Sequence, residues 1–489
     1  MKFAASVKLN TTKQDELFLE KRFYYASKIK NQTIAFAKRR IKMLFAEPEW
    51  HRLRQELHNL PREDTAKKKD ISKRLKTMIE DAGLTKTKLE QYANVGRKRK
   101  YAKYLDANTV QALADDVYSA VNSVLYGKGD CIHFQNANDL LTLRGKTNKQ
   151  GIKYRNGYIE WMGLRIAVQF RKGDTYIQDA MQNHISYCSI ERKMIGSRWH
   201  YYVIFLMWGK IPEKHHTGSG RVGLDDGVSV FAVNSTNECA LLPLGADASD
   251  LQNKINELLR YMDRSRRATN PENYNKDGTI KKGRKKWKFS RRYRTARRRL
   301  IGLYRRKAER GEQANNKVVN KILGMGNDFI TEPVSYKSLA RKSKTITYNK
   351  ATGRPNSRHR FGRTISARSP AETLRKLENK VTRMGGKFRY VSLKTYRASQ
   401  YDHCADTYKK KTLSQRWAIV GKNKVQRDLY SAFLLRHPCF SVQDKGPTVI
   451  NKIDRNGCIS DFEVFLTSHK VCIDHLIQTG AELPNCCGL

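Results

Sequence analysis

Three acidic side chains stand where a strand or a helix would deliver a carboxylate to a fixed place. Asp225 ends the apolar run Arg221-Val222-Gly223-Leu224-Asp225, with Asp226-Gly227 and a second apolar run, Val228–Val233, directly after it. Glu332 follows Phe329-Ile330-Thr331, and Pro333 comes one residue later, where proline's missing N–H ends a strand's ladder. Asp428 lies in Lys424–Leu435, where a helical period aligns it with Ser431 and Leu435. Carboxylates gathered together repel one another unless a cation lies between them. Hard oxygen donors suit Mg²⁺, and two divalent ions about 3.5–4 Å apart can clamp the attacking water and the leaving oxygen of a phosphodiester. Taken singly, Asp225 reads equally well as a turn former, Glu332 as a strand-end ion-pair partner and Asp428 as a helix-surface charge.

The elements that must position these acids are spread along the whole chain. The opening 2–9 reads as a strand with loose alternation, and after Thr11-Thr12 a helical row of Phe18, Tyr25, Ile29 and Phe36 begins. Further helical patterns run over 50–60, 64–82, 85–104 and 108–126. From Asp130 to Trp208 the pattern turns to strands at 131–134, 158–161, 164–170, 185–192 and 198–208. A lone strand, then helices, then many strands predicts a small β-barrel interrupted by a helical insertion. Residues 212–220 read as a linker, and the His215-His216 pair within it has no nearby partners for a metal.

The charge balance narrows the partners. Against 46 Asp+Glu stand 96 Lys+Arg, a formal net charge of +50 with a pI near 10.1, which makes a polyanion the expected companion. Sixteen Lys and Arg with one acid, Glu309, fill 281–310, interleaved with Trp287, Phe289, Tyr293 and Tyr304. That density exceeds what solvating a helix face requires, and backbone phosphates are its natural counterpart. Nine Lys and Arg with no acid fill 341–370, a basic loop suited to closing over a strand of nucleic acid. The start lacks a signal-peptide core, and the longest apolar stretch, Tyr201–Trp208, is too short to span a membrane. Nine cysteines without framework spacing point away from a disulfide scaffold and toward a reducing cytoplasm.

The acids occur in the order Asp–Glu–Asp, 107 and 96 residues apart. Strand, strand and helix carry them in turn, the pattern of ribonuclease-H-like folds of the RuvC type. Gly223-Leu224-Asp225-Asp226-Gly227, Thr331-Glu332-Pro333-Val334-Ser335 and Gln426-Arg427-Asp428-Leu429-Tyr430-Ser431-Ala432-Phe433 resemble the RuvC motifs of the TnpB family of transposon-encoded RNA-guided nucleases, to which the type V CRISPR effectors are related. Asp263–Pro271 and Lys394–Tyr401 are similar to that family as well, and the likeness is densest from about Ile255 to Phe433.

The resemblance implies a multidomain α+β chain. Residues 1–10 and 127–215 would form a wedge (OB-like β-barrel) and 11–126 an inserted helical recognition domain. Residues 216–489 would form an RNase-H-like (RuvC) α/β nuclease domain. It further implies a guide RNA and target double-stranded DNA as partners, no membrane, and two Mg²⁺ ions, with Mn²⁺ as a substitute, held by Asp225, Glu332 and Asp428. Candidate nucleic-acid contacts are Lys285, Lys286, Arg291, Arg292, Arg294, Arg297, Arg298, Arg299 and Arg427. Many family members carry a four-cysteine zinc ribbon between the second and third acids, whereas residues 396–425 here hold only Cys404, beside His403. A reduced insert without structural zinc is therefore expected, with Cys458, Cys472, Cys486 and Cys487 as buried or free thiols. Two other readings stay open: a nuclease-inactive RNA-guided repressor, and a guide-independent structure-specific nuclease such as a junction resolvase.

Overall fold

The computed structural model describes residues 1–480 except 62, 197, 213–214, 246–249, 350–352, 354, 357–360, 411, 413–414 and 441–451. Parts of the expected linker and of the expected basic loop, and both Cys486 and Cys487, lie outside the described residues. The chain divides into two compact units, Met1–Lys214 and His215–Leu489.

The first unit runs β1 (Lys2–Asn10), α1 (Lys13–Leu44), α2 (Pro48–Asn59), α3 (Thr65–Asp81), α4 (Lys86–Lys100) and α5 (Ala107–Leu125). It continues through β2 (Thr142–Arg144), β3 (Lys153–Arg155), β4 (Tyr158–Trp161), β5 (Leu164–Val168), α6 (Thr175–Met181), β6 (His184–Ile195) and β7 (Arg198–Trp208). Strict alternation along β1 buries Phe3, Ala5, Val7 and Leu9, and β1 sits mid-sheet, antiparallel to both β7 and β5. Helix α1 starts where it does because Thr12 and Asp15 form a reciprocal capping box.

Three expectations need correction here. The sheet, ordered β2-β6-β7-β1-β5-β4-β3, ends on β2 and β3 with no ladder joining them among the described residues, so it is a curled, open half-barrel rather than a closed one. Residues 131–134 form no strand. The chain just after it is clipped to α1, where Asn31 donates to the Gln135 carbonyl and accepts from its amide. Phe18 is exposed, and the packed row of α1 runs through Leu19, Phe23, Ala26 and Ile29. The helices and the sheet share one core. Arg22, buried in α1, donates to the Trp161 and Met162 carbonyls at 2.8 Å each and lies over the Trp161 ring.

The second unit holds β8 (Arg221–Asp226), β9 (Val230–Asn234), β10 (Cys239–Pro243), α7 (Asp250–Thr269), α8 (Arg291–Gly324), β11 (Asp328–Thr331) and α9 (Tyr336–Leu339). Then come α10 (Gly362–Arg368), α11 (Pro370–Arg383), β12 (Lys387–Tyr390), β13 (Tyr401–Asp402), β14 (Thr407–Tyr408), β15 (Trp417–Val420) and β16 (Asn423–Gln426). The chain closes with α12 (Arg427–Arg436), β17 (Pro438–Cys439), β18 (Lys452–Ile453) and α13 (Arg455–Gln478). Its sheet is ordered β10-β9-β8-β11-β12, antiparallel from β10 to β8 and parallel from β8 to β12. The middle strands are apolar on both faces, as a covered sheet requires. Val318, Ile322 and Leu323 of α8 and Leu374, Leu377 and Val381 of α11 join the core with Val222, Leu224 and Phe329. Ile330, Ala232 and Leu241 belong instead with Leu429, Phe433, Phe462 and Phe465 of α12 and α13. The helical pair α7–α8 has its own small core. Between its helices, buried Asn270 and Asn273 pin the basic loop through the Lys288 and Lys286 carbonyls.

Candidate metal centre

Backbone geometry alone brings the three acids to one end of the second sheet. Asp225 is the penultimate residue of β8 and pairs with Ala232 of β9. On the other side of β8, Thr331 of β11 is in register with Leu224, so Glu332, one residue further along a parallel strand, lies beside Asp225. Helix α12 crosses this end of β8 at close range. A Cβ at Gly223 would overlap the Ala432 carbonyl oxygen and come within 2.6 Å of the Arg436 amide nitrogen. Glycine at 223 thus lets the helix backbone sit on the strand, and Asp428 lies one turn before Ala432, on the Asp225 side of that crossing. Ser431, on the same face as Asp428, hydrogen-bonds the Asp225 carboxylate.

The electrostatics report the same convergence. The Asp225 carboxyl is held well above the usual carboxylate range, first by burial and then by the charges of Asp428, Glu332 and Asp226. Burial also raises the Glu332 carboxyl, against an opposing hydrogen bond from the Ala398 backbone. Asp428, 26% exposed, is held at Oδ1 by the Arg427 Nε and Nη2 at 3.0 and 2.9 Å, and Gln426 Nε2 lies 3.3 Å from its Oδ2.

The donor set fits a hard divalent cation: three carboxylates, whose crowding such an ion would relieve. The spacing is looser than a closed cage. Among the described residues only Asp402, His403 and Cys404 bring three ligand atoms within 4.8 Å of one another. The Asp402–Cys404 turn is already held by hydrogen bonds. Asp402 Oδ1 accepts from the Cys404 and Ala405 amides, and His403 Nδ1 meets the Tyr430 hydroxyl at 2.8 Å.

Asp226 carries a role the sequence did not reveal. It is 2% exposed, and it accepts from Thr331 Oγ1 at 3.0 Å and from the Tyr336 hydroxyl at 2.7 Å. It thereby ties the end of β8 to the residues on both sides of Glu332. Burial outweighs those two hydrogen bonds and pushes its carboxyl up to about 7. The available signal was strand alternation, which turns residue 226 to the face opposite residue 225.

The basic candidates divide. Lys286, Arg291, Arg292, Arg294, Arg297, Arg298 and Arg299 are exposed at the start of α8 and in the loop before it, and Lys285 is half-buried. Arg427 is half-buried and already paired with Asp428, while its Nη1 donates to the Gln415 carbonyl.

No family model and no curated protein matches the chain. Among solved structures it is similar to a cryo-EM structure of a Cas12f1–sgRNA–target DNA complex, with 9% identity and a TM-score of 0.44, covering 88% of this chain and 98% of that one. A CRISPR–Cas12f ternary complex gives 15% identity and a TM-score of 0.28 over 88% of this chain and 82% of that one. A Cas12i–crRNA–dsDNA complex gives 10% and 0.24 over 80% and 56%. At such scores the likeness carries no argument about this chain.

Proposed function

We propose that this protein is an RNA-guided DNA endonuclease whose Asp225, Glu332 and Asp428 hold divalent cations for phosphodiester hydrolysis. One observation carries the reading. Three carboxylates remote in sequence meet at one end of a sheet closely enough that Asp428 and Glu332 both raise the Asp225 carboxyl, in a chain of net charge +50. Buried acids that repel one another are costly to a fold and useful to a cation site.

Bound Mg²⁺ would supply Lewis acidity toward the phosphodiester and its attacking water. The chain's own groups do the rest. Asp225, fixed on a strand and steadied by Ser431, offers a buried carboxylate whose charge Asp428 and Glu332 oppose. Glu332 is steadied by the Ala398 amide and by the Asp226–Thr331 bond beside it. The exposed arginines at the start of α8 grip backbone phosphates of a guide RNA or of its duplex with target DNA. Pairing of guide to target would then select sequence, with the protein reading shape and a short adjacent DNA motif.

The test is purification of the full chain with its co-purifying RNA, sequencing of that RNA, and incubation with matched DNA in Mg²⁺. Cleavage by the wild type is expected. Asp225→Asn should lose about a thousandfold or more of the rate, the equivalent of about 4 kcal/mol of transition-state stabilisation, with RNA and DNA affinity kept. Binding without cleavage by the wild type at every adjacent motif tried would favour the repressor reading. Cleavage that persists after the RNA is digested away would favour a guide-independent nuclease.

A further inference from the structure

The last helix, α13, has no part in the three acidic motifs, yet its His469 touches the segment that carries the third acid. Gln426 ends β16 and begins α12. Among the described residues the ribbon β15–β16 has only two strands, so one edge of β16 has no ladder partner there. The Gln426 amide is fully buried and must find an acceptor inside the protein. It donates to His469 Nε2 at 2.9 Å. The Gln426 side chain then works at both ends. Its Oε1 accepts from the Leu429 amide at 2.7 Å and so caps α12, and its Nε2 lies 3.3 Å from Asp428 Oδ2. Imidazole, glutamine and carboxylate form one chain of contacts.

The rest of α13 makes that chain stiff. Phe465 packs on Tyr430 and Phe433 of α12, with ring centroids 6.3 and 4.6 Å away, and Phe462 packs on Phe433 at 6.0 Å. At the far end of α12, Asp461 accepts from Arg436 at 2.8 Å and meets His437 Nε2 at 3.1 Å. Helix α12 is therefore pinned to α13 by a polar contact at each end and by aromatic rings between, and the His469 pin is the one beside Asp428.

We propose that α13 braces the acidic site, with His469 acting through Gln426 as a positioning residue that fixes where Asp428 presents its carboxylate. The brace rests on the metal-site reading of Asp225, Glu332 and Asp428 and adds to it. Residues that orient a ligand without touching the ion typically govern about 10–100-fold of metal affinity. His469→Leu removes the acceptor at similar volume, and His469→Gln restores an acceptor on a flexible side chain. Gln426→Ala leaves the backbone bond to His469 in place and removes both side-chain contacts, the α12 cap at the Leu429 amide and the relay to Asp428.

The experiment titrates Mn²⁺ into the full chain with its RNA by calorimetry, beside Mg²⁺-dependent cleavage, DNA affinity and thermal unfolding. For His469→Leu and Gln426→Ala we expect Mn²⁺ affinity and half-saturating Mg²⁺ to worsen about 10–100-fold with DNA affinity unchanged. His469→Gln should recover most of the loss. Should His469→Leu fail to fold, Gln426→Ala decides. Unchanged Mn²⁺ affinity in a folded His469→Leu or Gln426→Ala variant, beside a wild type that binds the ion and cuts, overturns the brace alone. A wild type that binds no Mn²⁺ overturns the metal site and the brace together.

Discussion

Asp225 and Asp226 are neighbours with the same side chain and different work. Asp225 faces the other two acids, while Asp226 faces Thr331 and Tyr336 inside the protein. The Asp226 carboxyl, pushed up to about 7 by burial, gives stability that is fully present below its unfolded value of about 3.9 and is lost as pH rises through about 7. The Asp225 and Glu332 carboxyls are shifted in the same direction. In chelator the melting temperature of the wild type should therefore fall across that window. Asp226→Asn keeps an acceptor for Thr331 and removes the charge, so it should melt above the wild type at about pH 8 and level with it near pH 4. Differential scanning calorimetry at the two pH values checks this, and a difference that does not depend on pH sinks it. The same sign applies to the cation: it binds ionised carboxylates, so the Mg²⁺-induced rise in melting temperature should grow with pH and vanish in Asp225→Asn.

Among elements, the β8–α12 crossing decides whether the acids meet. Gly223→Ala would drive a methyl group into the Ala432 carbonyl and the Arg436 amide. Backbone cannot rotate aside as a side chain can, so a destabilisation of about 3 kcal/mol or more is expected, with loss of cation binding in whatever fraction stays folded. Chemical denaturation measures it, and a shift within about 0.5 kcal/mol of wild type would mean that α12 is free to lift. The start of α8 has the opposite character, since Arg291, Arg294 and Arg298 are exposed. Arg291→Gln, Arg294→Gln and Arg298→Gln combined should leave the melting temperature unchanged. For every phosphate that the variant no longer neutralises, the dependence of log affinity on log salt should flatten by about 0.7–0.9, measured by fluorescence anisotropy with RNA. An unaltered slope would place the nucleic acid elsewhere.

For the whole molecule the dominant fact is a formal net charge of +50. Like charges at this density oppose the compact state, and a polyanion that binds only the folded chain stabilises it by mass action. Thermal unfolding of nuclease-treated protein should shift upward on adding RNA and also on raising ionic strength. Loss of the RNA effect in high salt would mark it as electrostatic, and no shift with either would remove the charge argument. Among the described residues no helix is long and apolar enough to cross a membrane.

Much was legible in advance. Helical period marked the start of α1 and the spans of α2 to α5 to within a few residues, because it is a local property of the chain, while the short α6 went unread. The residue types of Asp225, Glu332 and Asp428, and the strands and helix that bear them, were readable for the same reason. What the tertiary structure decided was which faces meet. Alternation could not tell that 131–134 would stay out of the sheet, with Gln135 after it bonded to Asn31, or that the first sheet would stay open. Nor could it tell that the insertion and the strands would share one core. Arg427 reads as a phosphate ligand from its charge, yet the fold hands it Asp428. His469, which in the sequence lies between Cys458 and Cys472 at no metal-ligand spacing, is set 2.9 Å from the Gln426 amide only by packing. Periodicity is written over a few consecutive residues, whereas a shared charge, a crossing or a brace depends on pairs of residues from about forty to about two hundred positions apart.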